Sequence, residues 1–591
     1  MKHQLNQNLG ERYGVTSNLH GFLMRHFDTG FKSKWSGYWS PPYKFLDYYA
    51  IKVNGIWLDS ENLEGVEYGR GMVYHFKAGG LRIEERVTTP DSLPGFRLEL
   101  EVTNIEESKK AAKTSIEPAV DIRPKSKDVV DDEYELEARS NRLTLSRNGR
   151  KLMISADRDI ELKGGSYQKE HFPGERQVCM IPGRMVFREE LEPGSSGKLK
   201  LDFTTSEASF SAIDEREQEF ENPQLGQSFG CSINSMLNLV YDRKGLGLIA
   251  GHPWFQNYWS RDTYWTLLGL IDAGYFEVAH EILENFADTE GFPDMIPLED
   301  IDPPAASDPA PLYVIAADKL ERHWKTSEKI KQKQEAAFET LELENGVVQH
   351  DPDGTWMDTL ERSPAVDIQS LWLKAAEIMG HDAESDLRSG LREFEQKEYV
   401  KDHLGENPAR TVNPAVPLMF GQFKDNRAYT YLEALNAEFS SRFGARTRAV
   451  TDPGYEASGY HTGSVWGLTT GWAAAANLRY GKNKQGINFL EKMAEWSHGD
   501  QVCALPEALD AETGELIGCG EQAWSAGMFV HVIDRYLLGI EVKEEHVEID
   551  PVPGVSGKRL GKRIGDETID LEFENGEVEV LNNPESELII W

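Results

Sequence analysis

The stretch that decides the fold is GHPWFQNYWSRDTYWTLLGLIDAG, residues 251–274, in which aromatic and charged side chains stand at the mouth of an apolar helix. After Thr263 the apolar residues recur at helical spacing, and Asp262 is a candidate N-cap. Arg261 and Asp262 offer directional hydrogen bonds to hydroxyl groups. Flat apolar faces suited to a sugar ring come from Trp254, Phe255, Tyr258 and Trp259. The pattern predicts a carbohydrate site, with buried core aromatics and a structural ion pair as the alternative.

Helical periodicity extends outward from this stretch over residues 228–540. About eleven or twelve helices fit the apolar spacing, and their connecting loops are rich in Pro, Gly and Trp. No strand is expected between the helices, and no short internal repeat indicates an open solenoid. The pattern therefore predicts a closed toroid of helical hairpins.

The residues before and after the helices have the period of β-strands. Residues 97–102 and 198–203 alternate polar with apolar side chains, and Asn54-Gly55 predicts a hairpin turn. Short runs near residues 546–549, 569–573 and 578–581 follow the helices, with Asn575-Gly576 as a turn. Strands this short and regularly interrupted are typical of an antiparallel sandwich.

These patterns predict an α+β multidomain protein. Its parts are an N-terminal antiparallel β-sandwich over residues 1–222, a toroid of helical hairpins over residues 223–540, and a small C-terminal β element over residues 541–591. We expect the toroid to carry the catalytic site.

Charge excludes several classes of partner. The chain of 591 residues has 63 basic and 99 acidic residues, a formal net charge of −36. Such a field repels nucleic acids and anionic membranes, so a neutral substrate fits better. The predicted carbohydrate site makes an oligosaccharide or polysaccharide the expected partner. The acidic residues do not form a single tail, which suggests the solvated surface of a protein adapted to concentrated salt. The oligomeric state stays open.

The cysteines and the N-terminal residues indicate the cellular compartment of the protein. Cys179, Cys231, Cys503 and Cys519 form no CxxC pair and no disulfide framework. The first residues have no apolar signal core, and no window reaches the ~18 apolar residues of a membrane span. These features predict a cytoplasmic protein. No spacing of His and Cys indicates a metal site, and we expect no cofactor.

Three loops carry candidate chemistry. In DGTWMDTLERSPAVD, residues 353–367, Asp358 follows Trp356, whose ring can exclude water and raise the pKa of a carboxyl group. The segment YHTGSVW, residues 460–466, opens another helix. The segment LPEALDAETGELIGCGEQAWS, residues 505–525, contains Glu507, Gln522 and Trp524. In so acidic a chain a solvated surface carboxylate is the alternative for each acid.

The segments GHPWFQNYWSRDT, GTWMD, and LPE followed by GCGEQAWS resemble the amylo-α-1,6-glucosidase family, the glucosidase part of glycogen debranching enzymes, and more distantly glucoamylases and trehalases. The resemblance covers residues 228–540. It implies an (α/α)6 barrel behind a β-sandwich. Carried over residue by residue, it implies that Asp358 is the general acid and Glu507 the general base.

The resemblance also implies a set of substrate-binding residues. Trp259, Arg261 and Asp262 would hold the terminal glucose, and Asp308 lies where the family often has an aspartate near the sugar. Further expected substrate contacts are Trp254, Trp356, Trp466, Gln522 and Trp524. One carboxyl group would protonate the leaving oxygen and the other would activate a water molecule, with the two groups about 6.5 to 9.5 Å apart. The product would then have the inverted anomeric configuration.

The leading interpretation is an exo-acting, inverting glycoside hydrolase that releases glucose from α-glucans, of the amylo-α-1,6-glucosidase type. The first alternative is a trehalase or glucoamylase on the same fold, because linkage preference depends on outer subsites. The second is a non-catalytic glycan-binding protein, against which the presence of both candidate carboxylates counts.

Overall fold

The computed structural model describes residues 3–28, 30, 32–127, 134–163, 181–206, 212–214, 216–543, 546–582 and 584–591. Within it the chain forms two compact units. The first unit comprises residues 1–214, 240–243 and 500–502. The second comprises residues 215–239, 244–499 and 503–591. The C-terminal β element thus shares a unit with the helices, and the predicted division into three domains stays a prediction.

The first unit is built from antiparallel strands. They are β1 His3–Leu5, β2 Tyr13–Asn18, β3 Gly21–His26, β4 Gly37–Ser40, β5 Tyr43–Val53, β6 Ile56–Trp57, β7 Leu63–Tyr68, β8 Gly71–Ala78, β9 Leu81–Thr88, β10 Gly95–Asn104, β11 Lys110–Pro124, β12 Glu135–Ala138, β13 Arg142–Arg147, β14 Arg150–Ala156, β15 Glu161–Lys163, β16 Arg184–Leu191 and β17 Ser196–Thr204. One sheet has the order β1-β7-β8-β9-β10-β17-β14-β13-β12, and the other has the order β15-β16-β11-β5-β4-β3-β2 with β6 beside β5.

Aromatic rings from both sheets form the core of this unit. Phe96 on β10 stacks on Phe203 of β17 with ring centroids 4.4 Å apart, and Tyr49 on β5 of the other sheet lies 6.1 Å from Phe96. Strand β10 alternates buried with half-buried residues, as its sequence predicts. Asn54 and Gly55 have positive φ angles of 50° and 89° in the turn after β5. The predicted antiparallel β domain is therefore confirmed.

The second unit contains twelve α-helices among the described residues. They are α1 Gly226–Asn238, α2 Ser260–Asp272, α3 Phe276–Ala287, α4 Pro309–Glu321, α5 Glu328–Ala337, α6 Val366–Met379, α7 Glu384–Glu393, α8 Ala415–Met419, α9 Asp425–Phe439, α10 Gly467–Arg479, α11 Asn483–Trp496 and α12 Ala523–Val532. A 3₁₀ turn, Phe338–Thr340, follows α5, and a π-helical turn, Ile533–Leu537, follows α12.

The even-numbered helices contact one another in sequence: α2 with α4, then α6, α8, α10 and α12, and α12 contacts α2. Every residue of α2 and of α12 is buried, whereas α3 and α11 bury only one apolar stripe. A helix covered on all sides needs apolar or internally satisfied residues all round, while an outer helix needs a single stripe. The predicted helical domain is therefore present.

Short strands also lie between the helices, which the helical periodicity does not predict. They are β19 Val240–Asp242, β20 Leu246–Leu248, β21 Gly251–His252, β22 Tyr258–Trp259, β23 Met295–Ile296, β24 Leu343–Glu344, β25 Val347–Val348, β26 Val465–Trp466, β27 Ala508–Leu509 and β28 Glu521–Gln522. A further short strand, β18 Glu219–Glu221, precedes α1. Strand β21 pairs with β28, β22 with β23, and β26 with β27. The expectation of no strands was wrong because a strand of two or three residues is too short to show a period.

The remaining strands are β29 Ile540–Val542, β30 Val547–Ile549, β31 Gly557–Ile564, β32 Glu567–Glu574, β33 Glu577–Val580 and β34 Leu588–Ile590. Strand β18 pairs with β31 in a four-stranded sheet, and Asn575-Gly576 forms the turn between β32 and β33 with φ angles of 55° and 89°. This agrees with the predicted C-terminal strands.

One disulfide departs from the expectation drawn from the cysteines. Cys231 on α1 is bonded to Cys503, 272 residues later in the chain, and a separation this long leaves no local signal in the sequence. Cys519 is a buried free thiol, and Cys179 lies outside the described residues. No helix among the described residues has both the length and the apolar character needed to cross a bilayer.

Candidate active site

A cavity of about 70 Å³ in the second unit collects most of the predicted site residues. It is lined by Ala250, Phe255, Trp259, Arg261, Asp262, Trp356, Asp358, Tyr460, His461, Trp466, Glu507, Gln522 and Trp524. Nine of the eleven predicted residues are in this set. Trp254 and Asp308 are not, and Asp308 lies instead behind Arg261.

The cavity lies where three buried helices begin. Strands β22, β26 and β28 end at the residue before α2, α10 and α12 respectively, so the short ladders hold the entry loops in register. Gly251 on β21 pairs with Gln522 on β28, and His252 Nδ1 lies 2.7 Å from Oε2 of Glu521. Loops far apart in the sequence therefore meet through backbone hydrogen bonds at the mouth.

Asp262 does not have the role that its position suggested. Helix α2 begins at Ser260, so Asp262 lies inside the first turn and caps no backbone amide. Its Oδ1 accepts a 2.7 Å hydrogen bond from Nε2 of Gln522. The N-cap prediction was wrong because pairing of Trp259 in β22 sets the helix start three residues earlier.

Arg261 is held by several carboxylates. Its Nε donates a 2.5 Å hydrogen bond to Asp308 Oδ2, and its Nη2 lies 3.6 Å from Asp294 Oδ1. Burial raises the pKa of Asp294 to about 6, although the charge of Arg261 opposes the rise. Burial also raises the pKa of Asp308. Asp308 and Asp294 therefore fix the guanidinium of Arg261, whose Nη1 lies 4.0 Å from Oδ2 of Asp358.

Glu507 is buried, with 2% of its surface exposed. Tyr460 donates its hydroxyl hydrogen to Oε1, and the amide of Cys519 donates a 2.7 Å hydrogen bond to Oε2. Burial raises the pKa of Glu507 to about 7, against these two hydrogen bonds. Gly518 allows the close approach, because a Cβ there would lie 2.2 Å from Oε2. The carboxylate is thus fixed in place and titrates near neutrality.

Asp358 has a different environment, with about half of its side chain exposed (51%). Partial burial raises the pKa of its carboxyl group, and the charge of Arg261 opposes that rise. His461 Nδ1 lies 4.0 Å from Asp358 Oδ1 and 2.7 Å from the hydroxyl of Thr359. Burial lowers the pKa of His461 to about 3, so the ring is neutral and adds no positive charge beside Asp358.

A buried ion pair fixes the loop that carries Asp358. Arg362 donates hydrogen bonds of 2.7 Å to both Asp367 and Asp402. Asp402 also accepts a 2.8 Å hydrogen bond from Nδ2 of Asn413, whose Oδ1 accepts one from Nε1 of Trp356 at 2.8 Å. The chain of contacts runs from Arg362 to the ring beside the cavity, so the loop is positioned from two sides.

Aromatic rings form the cavity wall. Trp356 meets Trp466 and His461 edge to face, with ring centroids 5.5 Å and 5.4 Å apart. Buried polar atoms of the lining lack a hydrogen-bond partner within the described part of the chain: Nε1 of Trp259, Nε1 of Trp524 and Oε1 of Gln522. Such atoms are costly to leave unsatisfied, which suits a ligand rich in hydroxyl groups.

Four residues near the site were not among the predicted site residues. Ala250, Tyr460 and His461 line the cavity, and Asp294 contacts Arg261. Phe255, which the sequence offered only as a flat face for a sugar ring, also lines the cavity. Phe255 and Tyr460 stand inside segments already singled out, so their proximity to the motifs could have identified them. Asp294, in the loop before β23, has no comparable signal, since it reaches Arg261 only through the pairing of β22 with β23.

Two family models match the helical part of the chain. Residues 231–407 match the amylo-alpha-1,6-glucosidase family, and residues 370–525 match the mannosylglycerate hydrolase MGH1-like glycoside hydrolase domain. No sequence among the curated proteins matches the chain significantly.

Among solved structures, the fold is similar to that of a bacterial glucoamylase complexed with acarbose. The TM-score is 0.56 at 13% identity, covering 89% of this chain and 93% of the other. A mannosylglycerate hydrolase from Thermus thermophilus, in complex with glucose, matches with a TM-score of 0.42 at 15% identity over 51% of this chain and 98% of its own. By these two family models, the helical part of this chain resembles glycoside hydrolase domains, among them that of the amylo-alpha-1,6-glucosidase family.

Proposed function

We propose that the protein is an exo-acting, inverting α-glucosidase of the amylo-α-1,6-glucosidase type. The observation that carries the proposal is the contrast between two carboxyl groups lining one cavity. Glu507 is buried with both oxygens hydrogen-bonded, whereas Asp358 is half exposed on another loop. Two carboxyl groups in different environments are what acid and base roles require.

In the proposed reaction Asp358 donates its proton to the glycosidic oxygen while Glu507 accepts a proton from the attacking water. The water adds to the anomeric carbon from the face opposite the leaving group, so the configuration inverts. The productive form has the proton on Asp358 and none on Glu507. A bound sugar that covers the exposed face of Asp358 would remove water from it and raise its pKa further.

The remaining predicted residues have proposed roles in holding the terminal glucose. Arg261, Asp262 and Gln522 offer hydrogen bonds, and the indole nitrogens of Trp259 and Trp524 have no hydrogen-bond partner among the described residues. Asp308 acts through Arg261, whose orientation it fixes. Trp356 and Trp466 supply the apolar wall, and Trp254 has no proposed contact with the first sugar.

Charge in the cavity favours a neutral substrate. Arg261 is the only cation among the described lining residues, and Asp308 and Asp294 already lie against it. The lining also contains Asp262, Asp358 and Glu507. An aglycone with its own carboxylate would meet these acids without a second cation to pair with, so a neutral glucan suits the site better than an anionic glycoside.

Each even-numbered helix contacts the next one, and α12 contacts α2, which supports the (α/α)6 toroid. These six helices would form its inner ring, with the odd-numbered helices outside. In this arrangement the entry loops of α2, α10 and α12 share one end of the ring. The cytoplasmic location stays a prediction. The Cys231–Cys503 bond is more typical of an oxidising compartment, so counting free thiols in unreduced protein would test that location.

A substrate panel tests the proposal. Purified protein is incubated with branched dextrin, isomaltose, maltose and trehalose, and free glucose is measured. Glucose from branched dextrin and isomaltose supports the debranching type, release from maltose supports a glucoamylase, and release from trehalose supports a trehalase. Binding without release indicates a non-catalytic glycan-binding protein. Proton NMR of the first product should show β-glucose, and α-glucose would contradict the inverting mechanism.

A further inference from the structure

A second cleft, in the first unit, has a different charge from the rest of the molecule. It encloses about 780 Å³, and five cationic side chains line it against one carboxylate among the described residues. The charged lining residues are Glu137, Arg139, Arg142, Arg150, Lys151 and Arg243. No described residue of the candidate active site contributes to this cleft.

The hairpin of β13 and β14 supplies most of these cations. Asn148 and Gly149 form its turn with φ angles of 49° and 75°, and Arg150 and Lys151 begin β14 directly after the turn. The guanidinium carbon of Arg150 lies 3.4 Å from the ring centroid of Tyr43 on β5. This cation–π contact restrains Arg150 within the cleft instead of leaving it free in solvent.

Two cations of the hairpin are not neutralised by neighbouring acids of the described chain. Glu137 pairs with Arg139 at 2.8 Å, whereas Arg150 and Lys151 form no ion pair with described residues. His20, also in the lining, is buried, and its pKa is lowered to about 4 by burial first and by the charge of Arg243 second. The charge of Arg243 therefore acts on a buried ring of the cleft lining.

The distribution of charge along the chain makes this cleft unusual. Residues 1–214 contain 31 basic and 33 acidic residues, a net charge of −2. Residues 215–591 contain 32 basic and 66 acidic residues, a net charge of −34. The acidic excess thus belongs almost wholly to the later part of the chain, whereas four of the five cations of the cleft belong to the nearly neutral earlier part.

We propose that this cleft binds a small multivalent anion of the phosphate class. Guanidinium and ammonium groups are the usual partners of phosphate oxygens, and the hydroxyls of Thr144 and Thr205 lie in the same lining. A neutral sugar suits the cleft less well, since Arg150 already covers a face of Tyr43. Bringing cations together costs electrostatic free energy that a bound polyanion would offset.

Isothermal titration calorimetry on the full chain at low ionic strength tests the proposal, with sodium tripolyphosphate, orthophosphate, glucose 6-phosphate and maltose as separate titrants. The cleft variant is Arg150→Gln/Lys151→Gln. The matched control is Lys109→Gln/Lys198→Gln, which removes the same charge from side chains that are 54% and 74% exposed outside the cleft. We expect binding of at least one phosphate compound, weakened at least tenfold in the cleft variant and unchanged in the control.

The titrants also distinguish the source of the phosphate. Tightest binding of tripolyphosphate indicates a polyphosphate chain, and tightest binding of glucose 6-phosphate indicates a phosphorylated sugar. The proposal is overturned by binding of none of the phosphate compounds, by equal weakening in both variants, or by binding of maltose in preference to the anions. Circular dichroism of both variants verifies that each is folded.

Discussion

The backbone amide of Cys519 donates a 2.7 Å hydrogen bond to Oε2 of Glu507, while Tyr460 donates its hydroxyl hydrogen to Oε1. The buried carboxylate thus has a donor on each oxygen, yet its pKa is raised to about 7 because loss of water outweighs both bonds. Because burial and hydrogen bonding act on the pKa of Glu507 in opposite directions, removing one hydrogen-bond donor should shift that pKa measurably.

Glu507→Gln should abolish most glucose release and increase stability at alkaline pH. The raised pKa means that the folded wild type binds the proton more tightly than the unfolded chain. Its stability therefore falls as pH rises from about 4.5 through about 7, by up to about 3 kcal/mol. The neutral amide avoids that loss. In thermal melts at pH 5 and pH 8, the melting temperature of the variant should rise relative to that of the wild type only at pH 8. An equal difference at both values would contradict the buried ionisation.

The pH dependence of kcat/KM should report the same group. Because the base must be ionised, activity should fall as pH drops below about 7. Tyr460→Phe removes a donor that favours the ionised form, so this limb should move to higher pH. Tyr455→Phe is the control, since the Tyr455 hydroxyl makes no hydrogen bond with the described residues. If the acidic limb of the kcat/KM profile lies at the same pH in Tyr460→Phe as in the wild type, the positioning role of Tyr460 is ruled out.

Asp358→Asn should lose ~10²- to 10⁴-fold in activity on isomaltose, because the variant cannot protonate the leaving oxygen. Fluoride needs little protonation to leave, so α-glucosyl fluoride should be hydrolysed far better by Asp358→Asn than by Glu507→Gln. Initial rates of fluoride release from the two variants provide the measurement. Faster fluoride release by Glu507→Gln than by Asp358→Asn would mean that the acid and base roles are exchanged.

Gly518→Ala should impair catalysis without a large loss of fold. A Cβ at Gly518 would lie 2.2 Å from Glu507 Oε2, so the carboxylate must move away from its donors. We expect a fall in kcat of about tenfold or more, since displacement of a catalytic group by about 1 Å can cost 10²-fold. Gly65→Ala is a suitable control, because its Cβ would meet only the carbonyl oxygen of Leu5 at 4.0 Å. Unchanged kcat in Gly518→Ala would show that catalysis does not need the close approach of Gly518 to the Glu507 carboxylate.

Stability should rise with added potassium chloride and then level off. The 66 acidic residues among residues 215–591 repel one another, and the Debye length shrinks from about 30 Å at 0.01 M salt to about 3 Å at 1 M. Thermal melts from low salt to several molar chloride measure the effect. A melting temperature that is flat or falls across the series would reject the salt-adapted interpretation and leave the glucosidase proposal unaffected.

The sequence alone determined the order of the elements, because each depends on local periodicity. The alternation at residues 97–102 predicted β10, and the apolar spacing after Thr263 predicted α2. The motif segments also contained twelve of the thirteen described residues that line the cavity, nine of them predicted as site residues, since these segments cluster aromatic and acidic side chains.

Only the tertiary structure decided what these residues contact. The start of α2 depends on pairing of β22 with β23, and the bond from Gln522 to Asp262 joins positions 260 residues apart. The disulfide and the carboxylate of Asp294 beside Arg261 likewise depend on distant segments meeting. Side-chain spacing records which face of an element is buried, whereas the partner on that face is set by how the elements pack, and no local pattern encodes it.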